Sequence, residues 1–234
     1  MALTVGSLFS GIGGIDLGLE RAGMKIMWQI EVDPFLRRIL GKHWPNVNRY
    51  GDIRELDINE LERVDLICGG FPCQPVSLAG RRKGKDGPRW LWPEFERAIR
   101  ILRPRFVLVE NVPGLLTRGM DEVLRSLAAL GYDAEWTVLS AAAFGAPHLR
   151  ERLWVVAYSF GQGLEVGQVF GGDAAKELAA FVRDSRSHWA TEPDVGRMAY
   201  GIPHRVDRIK ALGNAVVPQI AEWIGRRILG SFFF

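Results

Sequence analysis

"LTVGSLFSGIGGIDLGLERAG", residues 3 to 23, decides how the chain folds. An apolar, β-prone run ends at Phe9 and glycines follow at 11, 13 and 14. Ile15, Leu17, Leu19 and Ala22 then recur at helical spacing until Gly23 stops the pattern. Strand, glycine turn and helix form the opening unit of a parallel α/β sheet, and the same order returns downstream. Strands are expected at 3–9, 25–31, 64–70, 105–111, 133–140 and 151–159. Helical spacing is clear in "WPEFERAIRILRP" (92–104) and "MDEVLRSLAALG" (120–131). The sheet so implied is open, doubly wound and mostly parallel, which directs the search for a site to the loops just after each apolar run.

Past Ser159 the texture changes. Residues 160–173, "FGQGLEVGQVFGGD", hold five glycines and no periodicity, and the stretch to 207 adds one short helical patch, "AAKELAAFVRD". The expected organisation is therefore a main domain of 1–159 plus 208–234, with 160–207 as a small lobe. Within the main domain, "RIKALGNAVVPQIAEWIGRRIL" reads as a Gly/Pro loop leading into an amphipathic C-terminal helix.

Composition supports a folded chain and narrows its chemistry. At 234 residues, 47% hydrophobic and 24% charged, it has enough apolar material for one large domain, or one domain and a lobe. No apolar run approaches the roughly 18 residues of a membrane span, and "MALTVGSLFSG" lacks the basic start and cleavage site of a signal peptide, so a cytoplasmic protein with no membrane partner is expected. The cysteines are two, Cys68 and Cys73, too few for a disulfide framework, and no Cys/His spacing resembles a zinc site, so no metal is expected. A net charge of +3 is compatible with a polyanionic partner without requiring one.

The strand-end loops carry the chemistry. "FSGIGG" allows close backbone approach to a ligand at a helix N-terminus, although the same glycines serve a plain turn. Glu31, ending the second strand, stands where an acidic residue accepts hydrogen bonds from ribose hydroxyls; a surface carboxylate is the alternative. Asp52, in "GDI", is placed to meet an adenine edge or to make an ordinary Asp turn. After the third strand, "GGFPCQPVSLAG" (69–80) sets Cys73 between Pro72 and Pro75, in backbone that can be neither helix nor strand interior. That presents a thiol rather than burying it, whereas Cys68 in "DLICGG" reads as core. "VENVPG" puts Glu110 at the neighbouring strand end, so thiolate and acid can share one site.

In order along the chain, "LFSGIGGIDLGLERAG", "GGFPCQPVSLAG", "ENVPGLL", "FGAPHLRERLWVVA" and "ALGNAVVPQIA" resemble the motifs of the cytosine-5 DNA methyltransferases, the phage, prophage and restriction-modification forms in particular. The resemblance spans residues 3–159 and 204–225. It implies a Rossmann-like S-adenosylmethionine-dependent methyltransferase fold and S-adenosylmethionine as cofactor, with S-adenosylhomocysteine as product. It implies double-stranded DNA as partner, with 160–207 as a target-recognition lobe; a monomer is expected. By resemblance, Cys73 adds to cytosine C6 and Glu110 bonds N3 and the exocyclic amine. Arg152 holds the base O2, with Arg150 nearby on substrate or backbone. Phe9, Gly11 and Gly13 face the methionine and adenosine end of the cofactor, Glu31 the ribose, Asp52 the adenine, and Asn214 with Val216 the closing wall.

The target carbon is inaccessible in a stacked duplex, so the base must be swung out. "GRRKGKDGPR" (80–89), with Arg81, Arg82, Lys83, Lys85 and Arg89, suits a segment closing on phosphates, with Gln74 and Ser77 beside the nucleophile. In the lobe, Arg197, His204, Arg205 and Arg208 are candidates for phosphate or guanine contacts. His148 stands where the family often has glutamine, and the lobe is short for the family. Nothing in the residues specifies a recognition sequence or a companion restriction endonuclease. Two other readings stay open: a tRNA cytosine methyltransferase with the same Pro-Cys-Gln chemistry, and a catalytically silent DNA-binding relic.

Overall fold

In the computed structural model of the chain, the described residues are 2–72, 90–160, 169–185 and 205–230. Their strands are β1 (Thr4–Leu8), β2 (Lys25–Ile30), β3 (Asn48–Tyr50), β4 (Leu66–Gly69), β5 (Phe106–Asn111), β6 (Tyr132–Ser140) and β7 (Glu151–Ser159). The helices are α1 (Gly14–Arg21), α2 (Pro34–His43), α3 (Trp92–Leu102), α4 (Leu115–Arg118), α5 (Met120–Ala129), α6 (Ala174–Ser185), α7 (Arg205–Asn214) and α8 (Pro218–Gly230). All six expected strands form, each within two residues of its expected ends. The addition is β3, whose three residues "NRY" are too short and too polar to show a pattern.

The sheet runs β3-β2-β1-β4-β5-β7-β6. β3 through β5 pair in parallel, and β7 lies antiparallel to both β5 and β6. From β1 the chain winds outward through β2 and β3, then returns to the other side of β1 as β4. The winding thus reverses between β1 and β4, and a crevice opens beyond their carboxyl ends, Leu8 and Gly69.

Alternate residues of each central strand enter opposite layers, as the pleat demands. Ile67, Val107 and Val109 pack with Trp92, Phe95 and Ile99 of α3 and Val123 and Leu127 of α5. Leu66, Cys68, Phe106 and Leu108 face Ile15 and Leu19 of α1 and Ile220, Trp223 and Ile224 of α8. Cys68 is fully buried there, as its apolar run implied. Helices α1 and α8 meet through small residues: a Cβ on Gly18 would lie 2.3 Å from the Pro218 carbonyl and 2.6 Å from Ala221 Cβ. That close approach carries the C-terminal segment back to the first strand's turn.

One segment differs from the sequence reading. Residues 205–214, including the "RIKALGN" read as loop, form helix α7. Arg, Lys, Ala and Leu favour helix, Ala211 is buried, and Gly213 sits in the last turn, so the loop shrinks to 215–217 before Pro218 opens α8. Within 160–207, residues 169–185 are fastened to the sheet. The Val169 and Phe170 N–H groups donate to the buried Glu135 carboxylate at 3.0 and 2.9 Å, and Phe181 of α6 packs edge-on against Phe144.

Candidate active site

The turn after β1 is wound tightly. Phe9, Gly11 and Gly13 all lie in the left-handed region, at φ 52°, 59° and 83°. For Phe9 that conformation is strained by about 1–3 kcal/mol, and such strain persists where surroundings over-determine it. Here Ser10 N–H bonds the Ile30 carbonyl at 3.1 Å, Gly11 N–H donates to Glu31 at 2.8 Å, and the Phe9 ring meets Phe95. Gly13 is required twice over, because a Cβ there would lie 2.4 Å from the Trp44 ring.

Glu31 follows β2 and bridges two backbones. Its other oxygen accepts from Asp33 N–H at 2.9 Å, and Asp33 in turn caps α2 through Phe35 N–H at 2.8 Å. Burial raises the Glu31 carboxyl above its ordinary value, against the two backbone hydrogen bonds that favour its charge. Asp52 stands apart. Arg54 holds both of its oxygens, lowering its carboxyl, and Asp52 does not line the pocket described next.

That pocket occupies the crevice at the reversal of winding. Its walls come from the β1 turn, including Phe9 and Gly11, from Asp33, which caps α2, and Leu36 of α2, and from Gly70 and Glu110 at the ends of β4 and β5. The far side is built by Asp207, Lys210 and Asn214 of α7, followed by Val216. The Val216 carbonyl oxygen sits 2.6 Å from where a Gly14 Cβ would be, so helix α1 begins in direct contact with this wall.

Glu110 stands at the β5 end of the pocket. Its side chain is 11% exposed, and Oε1 lies 2.8 Å from Arg152 Nε, on the antiparallel strand β7. Burial raises this carboxyl, while Arg152 and then Arg150 oppose the rise. A Cβ on Gly70 would be 2.5 Å from Glu110 Oε2, so glycine makes room for the carboxylate three residues ahead of Cys73. Arg150 turns elsewhere: its Nη2 donates to the Gly213 carbonyl at 2.9 Å, tying the start of β7 to the pocket wall beside Asn214.

The predicted residues thus divide. Phe9, Gly11, Glu110, Asn214 and Val216 line one pocket, while Arg152, Glu31 and Gly13 sit immediately behind it. Cys73, Gln74, Ser77, Arg81, Arg82, Lys83, Arg89 and Arg197 lie outside the described residues, as does the side chain of Arg205. Among the described residues, Phe71 and Trp90 meet at 5.2 Å, nearly perpendicular, and Phe71 also packs on Trp92. Asn111 reinforces this junction, its side-chain amide donating to the Phe71 carbonyl at 3.2 Å.

Sequence reasoning missed Asn111, Asp16 and Lys210. Asn111 follows Glu110 directly in a strand-end motif already singled out, a signal that was legible. Asp16 sits inside a helical pattern where polar residues ordinarily face solvent, and Lys210 in a stretch whose glycine and following proline read as loop.

Comparison with known proteins bears on this arrangement. Residues 3–192 match the family model described as C-5 cytosine-specific DNA methylase. The chain is 39% identical over 167 residues to type II methyltransferase M2.BsuMI of Bacillus subtilis (strain 168), covering 68% of this chain and 42% of that one. It is 40% identical over 162 residues to type II methyltransferase M.Eco47II of Escherichia coli, covering 66% and 39%. A prophage-encoded E. coli protein described as a DNA modification methyltransferase superposes with a TM-score of 0.61 at 26% identity, over 73% of this chain and 51% of that one. The chain therefore spans about half the length of these proteins, or less.

Proposed function

The chain belongs to the C-5 cytosine-specific DNA methylase family, and we propose that it transfers a methyl group from S-adenosylmethionine to C5 of a cytosine in double-stranded DNA. The observation that carries this reading is the buried Glu110–Arg152 pair, set at the rim of the same pocket that the β1 glycine turn and Asn214 enclose.

The pocket's chemistry fits the cofactor. Among the described lining residues are the carboxylates Asp16, Asp33 and Glu110, which suit a cationic ligand, and Phe9, Leu36 and Val216, which supply apolar surface for a purine. When bound, S-adenosylmethionine supplies an electrophilic methyl group. Glu31 serves the ribose hydroxyls, Asp52 the adenine once Arg54 releases it, and Asn214 and Val216 close the wall.

Cytosine C5 is a weak nucleophile, and the chain's residues activate it. The Cys73 thiolate adds to C6 of an extruded base. Glu110 bonds N3 and the exocyclic amine, and a carboxyl raised by burial can keep the proton this role requires. Arg152 fixes Glu110 and holds the base O2; Arg150 fixes the wall beyond. C5 takes the methyl, its proton leaves to a base, and expulsion of the thiolate from C6 restores Cys73 and releases 5-methylcytosine. Arg81, Arg82, Lys83 and Arg89 serve phosphates, and Gln74 and Ser77 the space left in the duplex. Residues 1–159 and 208–234 form the catalytic domain. Since 169–185 pack on the sheet, target recognition within 160–207 falls to the residues around them, including Arg197 and Arg205.

Incubation with labelled S-adenosylmethionine and, in parallel, duplex DNA or bulk tRNA tests this directly. Label in DNA, lost with Cys73→Ser, is expected. Label in tRNA alone would move the substrate to RNA, and label in neither would overturn the assignment for the chain acting by itself.

A further inference from the structure

Asp16 is one of the carboxylates lining the pocket, but no role of its own has been given to it above. It lies in the first turn of α1 with no solvent exposure, yet it lines the pocket beside Ser7, Phe9 and Gly11. Two bonds hold its oxygens. The Ser7 hydroxyl donates to Oδ2 at 3.0 Å, and the Gln29 amide nitrogen donates to Oδ1 at 2.8 Å. Ser7 and Gln29 are themselves buried, and Gln29 Oε1 has no hydrogen-bond partner. Three polar side chains from α1, β1 and β2 are thus concentrated under the pocket, in an orientation that presents donors to Asp16 and so favours its charged form.

A buried negative charge held this way is costly unless something positive offsets it. Among the described residues, no cation is paired with Asp16. The ionisable groups acting on it are Glu20, on the same helix, which repels it, and the Cys68 thiol from β4, which burial and Asp16 together push well above its ordinary value and so keep neutral. Burial accordingly raises the Asp16 carboxyl to about 6 despite the bonds from Gln29 and Ser7.

We propose that Asp16, positioned by Ser7 and Gln29, is the buried counter-charge against which the cationic methionine portion of S-adenosylmethionine is bound. The proposal rests on reading this pocket as the cofactor site. Asp16 acts through the pocket floor: with both oxygens engaged and no exposed surface, it attracts the cation electrostatically and orients the Ser7 hydroxyl. Binding a cation favours the ionised carboxylate, so cofactor affinity and Asp16 ionisation are linked. Affinity should be full above pH 6 and fall as the carboxylate takes up its proton below it, by up to about tenfold per pH unit.

Calorimetric titration of the whole chain with S-adenosylmethionine and with S-adenosylhomocysteine, between pH 5 and 8, tests this with Asp16→Asn and Ser7→Ala. The Asn variant should lose about tenfold or more in affinity at pH 7.5 and lose the change of slope near pH 6. Its melting temperature without cofactor should be equal to the native one or higher, because an ionised, uncompensated carboxylate has been removed. Ser7→Ala should weaken binding less and leave the pH dependence in place. Equal losses for both ligands identify the α-ammonium group as the charge sensed, and a loss confined to S-adenosylmethionine identifies the sulfonium. Unchanged affinity in Asp16→Asn, or affinity lost only in step with thermal stability, overturns the proposal. If the native chain binds neither ligand, the reading of the pocket itself fails.

Discussion

Replacing Arg152 with Met should make stability fall with rising pH more than it does in the native chain. Arg152 Nε lies 2.8 Å from Glu110 Oε1, with side chains 19% and 11% exposed. At an effective dielectric near 20, two unit charges at that distance attract by about 6 kcal/mol before desolvation is subtracted. Removing one partner of such a buried pair typically costs about 3–5 kcal/mol, unless the other can shed its charge. Glu110 can. Burial already raises its carboxyl, and the variant removes the larger of the two opposing arginine effects, leaving only Arg150. The folded variant therefore holds its proton to higher pH than the unfolded chain does, and stability falls as pH rises between those two values, by up to about 1.4 kcal/mol per unit. Thermal denaturation should show a larger deficit for Arg152→Met, relative to the native protein, at pH 8 than at pH 6. The double variant with Glu110→Gln should remove that slope and recover part of the loss, since no buried charge remains. Methyl transfer by Arg152→Met should drop by about a hundredfold or more. An identical stability deficit at both pH values, or activity within threefold of native, would refute the placement of charge at this edge.

Trp90→Ala should cost about 3–5 kcal/mol in chemical denaturation. It empties the aromatic junction with Phe71 and strands the Glu122 carboxylate that accepts from its ring N–H at 3.0 Å; Trp90→Phe should cost less. Gly18→Ala, which drives a methyl to 2.3 Å from the Pro218 carbonyl, should lower stability by about 1–3 kcal/mol and, by shifting α8, weaken S-adenosylmethionine binding in equilibrium dialysis. Arg150→Met breaks the bond to the Gly213 carbonyl and should weaken cofactor binding about tenfold, a loss that a charged-donor hydrogen bond of about 1.5–3 kcal/mol accounts for. Unchanged affinity would mean that α7 and the Asn214 wall hold their places without β7.

Much of this was legible in the residues because local pattern and global fold agree. Apolar runs ending in Gly, Pro or Asp produced every central strand, and the glycines after β1 predicted a turn whose left-handed geometry only glycine adopts without strain. Phe9 shows the limit, since nothing in its identity announces φ 52°. Helix α2 escaped notice although Asp33-Pro34 is a capping signal, because "FLRRILGKH" buries one residue, Leu40, and its apolar stripe is thin. Helix α7 was hidden by its glycine and by the proline beyond it. The division of the arginine pair, Arg152 to Glu110 and Arg150 to Gly213, depends on where β7 lies against β5 and α7. Asp52 illustrates the converse: its spacing was suggestive, but the neighbouring Arg54 takes both oxygens, a contact that spacing does not reveal.

Nucleophilic attack by Cys73 leaves a covalent bond to the base, and that adduct can be trapped. Duplex DNA carrying 5-fluorocytosine at a methylated site should, with S-adenosylmethionine present, leave the chain covalently attached on a denaturing gel, because a C5 fluorine cannot depart as a proton does and the thiolate is not expelled. Native protein should give the shifted band, and Cys73→Ser should give none while still binding S-adenosylmethionine. An adduct that survives in Cys73→Ser, or methyl transfer to DNA without any trapped species, would contradict nucleophilic attack by this residue.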